Sequence, residues 1–282
     1  MTEAFTLHRP AGEALPLVLD SPHSGELYPD DFDHAPPREV VRQAEDTHVA
    51  RLYGRAPALG AALLEANFPR AYIDANRSLD DIDPELLADA WREPLAPGRK
   101  TAQGIGLVWR LARDGSPMYG RRLTAAEVAG RIDRWYRPYH AALDAELDRL
   151  HRAFGAVWLL DCHSMPAVGD ARSDDPGRER ADFVLGDRDG TTCAPEFTAF
   201  VAATLGGMGY RVAVNDPYKG VEIVRRHGRP AERRHSLQVE VKRTLYMDEA
   251  TLVPNEGYAR LEADLARLVA AVGTHVRGRL AG

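Results

Sequence analysis

The feature that most constrains this chain is a nearly unbroken apolar run, Ala156–Asp161 (AVWLLD), with no alternation of polar and apolar positions. Such a run reads as a strand buried on both faces, and strands of that kind belong to parallel sheets covered by helices. Pro16–Leu19 (PLVL), Arg70–Asp74 (RAYID), Asp182–Leu185 and Arg211–Val214 are further strand candidates. Ser236–Val241 alternates instead, with Leu237, Val239 and Val241 facing one way and Gln238, Glu240 and Lys242 the other. Helical patterns lie between these runs. Glu39–Tyr53 puts Val40, Val41, Ala44, Val49 and Leu52 on one stripe, and Pro195–Leu205 and Asn255–Val276 are the other clear stretches. Thr124-Ala-Ala-Glu127 is a capping box that opens a helix running towards Phe154, with Pro138 as an expected kink or break. The stretch Asp80–Gly120 is rich in Pro, Gly and charge and reads as loops and short helices over a site. Strand–helix alternation predicts an α/β fold: one domain over residues 1–282, three-layer αβα, with a mainly parallel, mixed sheet.

Composition narrows the function. The 36 Lys+Arg against 42 Asp+Glu leave a net charge of −6, which gives no general attraction for a phosphate backbone, so nucleic acid is not an expected partner. Cys162 and Cys193 are too few for a disulfide framework or a four-cysteine zinc site. No apolar stretch suits a signal peptide or a membrane span, so a cytoplasmic protein is expected, with no membrane partner and an oligomeric state that the chain leaves open.

Open α/β sheets bind ligands beyond the carboxyl ends of their strands. After PLVL comes Asp20-Ser-Pro-His-Ser-Gly-Glu26, and after AVWLL comes Asp161-Cys-His-Ser-Met-Pro166. Each presents a histidine, His23 or His163, two or three positions after an aspartate. One such histidine is most simply a strand-end hydrogen-bonding group. Two, each near an acid, point to a pair of neutral imidazoles around a metal ion, with Asp20 and Asp161 available to orient them. A third ligand can come from Glu26, Glu45 or Asp46. Glu240, on the polar side of its strand, suits a general base; otherwise it pairs with Lys242 or Arg243. Asn76-Arg77 offers an amide and a guanidinium fork for a carboxylate. Tyr218, Lys219 and His227 sit in glycine-bearing loops within reach of a ligand. Trp135-Tyr-Arg-Pro-Tyr-His140 on the long helix resembles an aromatic box, but such a cluster is more often packing plus a kink. Phosphate-loop, dinucleotide and nucleophile-elbow signatures are absent from the sequence.

Taken together, SPHSGELYP, EDTHVARLY, YIDANR, GLVWR, YRPYH, WLLDCHSMP, NDPYKG and SLQVEVKRTLYMDE, in that order from about residue 15 to 250, resemble the N-formylglutamate amidohydrolase (N-formylglutamate deformylase) family. The resemblance implies a phosphorylase/hydrolase-like fold similar to zinc carboxypeptidases. It also implies one zinc ion per chain and hydrolysis of N-formyl-L-glutamate to formate and L-glutamate in histidine degradation. Asp46 falls in a characteristic segment and Glu26 where members vary, so the expected zinc ligands are His23, Asp46 and His163, with Glu26 the alternative. Glu240 is expected as base and proton donor, and His227 or an arginine as oxyanion support. Asn76 and Arg77 are expected to bind one substrate carboxylate, with Arg110, Lys219 and Arg243 competing for the other. A related metal-dependent hydrolase of another N-acyl amino acid or small peptide, or a non-catalytic metal- or ligand-sensing protein, is the alternative expectation.

Overall fold

The computed structural model describes residues 3–280. Its first strands are β1 (Phe5–His8), β2 (Leu17–Ser21) and β3 (Ala62–Ala66); between the last two lie the short helices α1 (Arg38–Arg42) and α2 (Val49–Leu52). Helix α3 (Arg99–Ala102) interrupts a long loop region, and α4 (Ala125–Arg131) and α5 (Arg137–Phe154) follow. Then come β4 (Val157–Met165), β5 (Phe183–Gly186), α6 (Pro195–Gly207), β6 (Val212–Val214), α7 (Glu222–His227), β7 (Arg234–Lys242) and α8 (Tyr258–Leu280). The seven strands form one mixed sheet in the order β1-β3-β2-β4-β7-β5-β6. β2 pairs parallel with β4, β4 with β7 and β5 with β6, while β5 runs antiparallel to β7. The expected α/β class with a mainly parallel sheet is therefore observed.

The chain forms two compact units. One comprises residues up to Thr6, Pro22–Thr47 and Glu65–Ala142; the other comprises Leu7–Ser21, His48–Leu64 and residues from Leu143 onward. In the second unit the pleat separates two kinds of side chain. Leu17 and Leu19 of β2 stand in register with Trp158 and Leu160 of β4, and Leu160 and Cys162 with Leu237 and Val239 of β7. All of these join one hydrophobic cluster with Phe183, Leu185, Phe197, Val201 and Leu205. From α8, Leu261, Leu265, Leu268, Val272 and Val276 enter the same cluster, spaced to form a single stripe. The intervening positions of β4 and β7 carry Asp161, His163, Gln238 and Glu240. Cys162 thus faces the core, and burial pushes its thiol well up.

Several local expectations are corrected. RAYID is a set of turns, not a strand: the Tyr72 amide bonds back to Pro69 and the Asp74 amide to Leu107. β1 and β3 were not anticipated. The Glu39–Tyr53 helix is broken between α1 and α2, because the Asp46 amide is spent on the His23 carbonyl at 3.0 Å and His48 is left-handed (φ 71°). β4 runs four residues beyond Asp161, so His163 lies within a strand rather than in a turn after it. The Thr124–Glu127 capping box is present as read. Ahead of Pro138, which has no amide hydrogen to donate to the carbonyl four residues back, the helix widens into a π-turn, Ile132–Tyr136. No helix of the described residues is long and apolar enough to cross a membrane.

His235 of β7 stacks on Trp158 (ring centroids 5.1 Å apart) and its Nδ1 accepts the Ala194 amide at 3.1 Å. Burial, with Arg233 and Arg279 adding to it, lowers its pKa to about 4. An unfolded imidazole titrates near ~6.5, so the unfolded chain takes up this proton first as pH falls. Stability from this group is full above that pH and is lost as pH drops from about 6.5 to about 4. His235→Gln should flatten that part of the unfolding free-energy profile in urea titrations across pH; an unchanged slope would contradict the assignment.

Candidate active site

In the first unit the site is built on a turn, a helix break and a loop. His23 follows β2 and is buried. Its chain stays close to Asn67-Phe68 because Gly25 has no side chain: a Cβ there would stand 2.2 Å from the Phe68 carbonyl oxygen. The His23 carbonyl accepts the Asp46 amide, and Ser24 Oγ donates to the Asp46 carbonyl at 3.1 Å, so the two segments are tied by backbone. On the imidazole, Nε2 lies 2.7 Å from Asp74 Oδ1 and Nδ1 lies 3.2 Å from Asp46 Oδ2. Asp74 was passed over in the sequence because RAYID was read as a strand. Its other oxygen, Oδ2, accepts Arg70 Nη2 at 2.8 Å. Burial alone would raise the Asp74 carboxyl, but Arg70, with His23 and Arg77, outweighs it and holds the group well below the usual carboxylate range.

In the second unit His163 Nε2 lies 2.7 Å from Asp161 Oδ1, its neighbour two residues back on the same face of β4. Glu240 is the register partner of His163 on β7, and Gln238 Nε2 donates to Glu240 Oε1 at 2.9 Å. Lys242 is paired with Asp182 at 2.7 Å. Arg180, a residue the sequence did not single out, is buried and held by both oxygens of Asp175, and Tyr218 lies under its guanidinium at 5.1 Å. Burial works against the charge on Arg180, but the Asp175 pair outweighs it, and Tyr218 and Glu240 strengthen it further. Arg243 is buried and donates from Nε to Ser164 Oγ at 3.1 Å.

Among the described residues, His23 and Asp46 of the first unit and His163 of the second are buried and carry atoms of the kinds that can hold a metal ion. The protonation chemistry fits a cation. Asp74 and Asp161 lie within hydrogen-bond distance of Nε2 of His23 and His163, and a neutral imidazole that donates from Nε2 carries its lone pair on Nδ1. His23 Nδ1 then faces an Asp46 carboxylate oxygen, two acceptors that attract only with positive charge between them. Two donors about 2.1 Å from a tetrahedral ion are about 3.4 Å apart, close to that 3.2 Å separation.

The remaining candidates are placed as follows. Glu26 is half-exposed and pairs with Arg42 at 3.3 Å. Buried Glu45 accepts Tyr28 Oη at 2.6 Å and Arg42 Nε at 3.1 Å, and burial pushes its carboxyl up. Asn76 is buried, and Arg77 has its Nε buried with no hydrogen-bond partner among the described residues. Arg110 pairs with Asp83 and Glu85, and Lys219 pairs with Asp189 at the surface. His227 ends α7, its Nδ1 3.6 Å from Asp144.

The chain is similar to known proteins. The family model described as N-formylglutamate amidohydrolase matches residues 15–247. An N-formylglutamate deformylase of Pseudomonas putida is 33% identical over 248 residues, 83% of each chain, and one of Pseudomonas aeruginosa is 33% identical over 244 residues with the same coverage. A crystal structure of N-formylglutamate amidohydrolase from Ralstonia eutropha JMP134 superposes with a TM-score of 0.95 at 53% identity, covering 98% of this chain and 99% of that one. The chain belongs to the N-formylglutamate amidohydrolase family.

Proposed function

We propose that this protein is a zinc-dependent amidohydrolase that cleaves N-formyl-L-glutamate to formate and L-glutamate, a step of histidine degradation. The observation that carries the reading is the approach of His23 Nδ1 to the Asp46 carboxylate within a buried His–Asp–His donor set, in a chain of this family. The family match runs through both compact units, which supports treating the chain as one catalytic domain. His23, Asp46 and His163 hold the ion. A divalent cation there polarises the formyl carbonyl and lowers the pKa of a water molecule.

The chain's own residues do the rest. Glu240, oriented by Gln238, takes a proton from the attacking water. The water oxygen bonds to the formyl carbon, the carbon–nitrogen bond breaks, and the proton passes from Glu240 to the leaving amine. His227 supports the charge that develops on the formyl oxygen. Asn76 and the Arg77 guanidinium bind one glutamate carboxylate, which supplies the partner that buried Arg77 Nε otherwise lacks among the described residues. Arg243, buried and donating from Nε to Ser164 Oγ, is the choice for the other carboxylate. Tyr218, whose ring lies beneath the Arg180 guanidinium, completes the proposed substrate-binding set.

Glu240→Gln should lower kcat by about 10²–10⁴-fold while zinc content stays at one equivalent by elemental analysis; a near-normal rate removes Glu240 from the chemistry. His163→Ala should bring zinc well below one equivalent, and full occupancy refutes its place as a ligand. Arg77→Ala should cut kcat/KM for N-formyl-L-glutamate by about 10–100-fold, and far less for a formylated amine without carboxylates. Equal losses on both would show that Arg77 reads no carboxylate.

A further inference from the structure

The four residues Asp74–Arg77 lie between two demands of the proposed reaction. At one end Asp74 Oδ1 meets His23 Nε2 at 2.7 Å and accepts the Asn76 amide at 2.9 Å. At the other, the Arg77 amide donates to the Asp74 carbonyl at 3.2 Å, closing the turn. Two of its other carbonyls, those of Ala75 and Arg77, are held from one stretch of helix. Tyr136 Oη donates to the Arg77 carbonyl at 2.8 Å, and His140 Nε2 lies 2.9 Å from the Ala75 carbonyl, which fixes that nitrogen as the protonated one. Tyr136 is the last residue of the π-turn, and His140 lies four residues on along α5, its ring 4.2 Å from the Tyr136 ring. Residues four apart share a helix face, so one face presents both donors to one turn. From the opposite direction Arg70 grips Asp74 Oδ2, and the Leu107 carbonyl accepts the Asp74 amide at 2.7 Å. A short polar turn without regular structure is thereby fixed at the Asp74 carboxylate and amide and at the Ala75 and Arg77 carbonyls.

We propose that the Asp74–Arg77 turn mechanically links the cation ligand to the carboxylate-binding arginine, with Asp74, Tyr136 and His140 as positioning residues. Asp74 holds His23 protonated on Nε2, leaving Nδ1 to the cation, and Tyr136 and His140 hold the far end of the turn so that Arg77 is presented in one orientation. The π-turn gains a purpose: it delivers Tyr136 to the Arg77 carbonyl just before the helix resumes. This inference rests on the metal and carboxylate assignments proposed above.

The test uses the full-length protein with Tyr136→Phe and Asp74→Asn. Tyr136→Phe removes one oxygen and should raise KM for N-formyl-L-glutamate about fivefold. It should leave kcat, the KM of a formylated amine lacking carboxylates, and zinc affinity by chelator competition within twofold of wild type. Asp74→Asn should weaken zinc binding by about 10–100-fold. In zinc-free wild-type protein, histidine-selective ¹⁵N NMR, with His23→Gln to assign the signal, should show His23 protonated on Nε2. An unchanged KM in Tyr136→Phe, an equal KM change for the uncharged substrate, or His23 protonated on Nδ1 would overturn the link. If Asp74→Asn does not fold, the wild-type NMR signal and Tyr136→Phe still decide. Failure of the functional reading is distinguishable, since wild-type protein would then neither bind zinc nor release formate, whereas the His23 tautomer is read without either.

Discussion

Strand β4 meets two opposite demands in nine consecutive buried residues, and its pleat satisfies both. Trp158, Leu160 and Cys162 enter the hydrophobic cluster, while Asp161 and His163 point the other way, next to Gln238 and Glu240 on β7. A slip of one residue in the β4–β7 register would put charges into the core and leucines at the site. Parallel pairing along nine residues, with α6 and α8 packed on the apolar side, makes such a slip costly. The reactive groups thus inherit their positions from core packing.

Burying imidazoles and carboxylates is unfavourable unless each is paired. Both histidines meet this in the same way: Nε2 goes to an aspartate, Asp74 or Asp161. Asp74 is in turn kept ionised against its burial by Arg70. Orientation therefore passes outward from each imidazole to an acid and from Asp74 on to a guanidinium. Rings held this way lose little freedom on taking a cation, which favours tight binding.

The parts of the chain that were legible are those where a local pattern and a tertiary role coincide. The apolar run of β4, the alternation of β7 and the Thr124 capping box each state a periodicity or spacing that the fold preserves. His23 and His163 stand out in the sequence because each follows an apolar run and an acid, His23 beyond β2 and His163 within β4. What escaped notice depends on contacts distant in sequence. Asp74 acts on a residue 51 positions earlier, and its segment imitates a strand because Ala71, Tyr72 and Ile73 are all buried. Tyr136 and His140 looked like packing because their partners are backbone carbonyls, which leave no trace in residue types. Arg180 sits in an arginine-rich loop without periodicity and is distinguished only by its burial against Asp175. The helix break before α2 was hidden by an apolar stripe that continues through it, although the Asp46 amide serves His23 there.

The most direct measurement is X-ray absorption at the zinc edge on protein loaded with one equivalent of zinc. The account predicts scattering from two imidazoles with the remaining neighbours oxygen at about 2.0–2.2 Å, and no sulfur shell near ~2.3 Å. A sulfur shell, a single imidazole, or failure to retain one equivalent would contradict it.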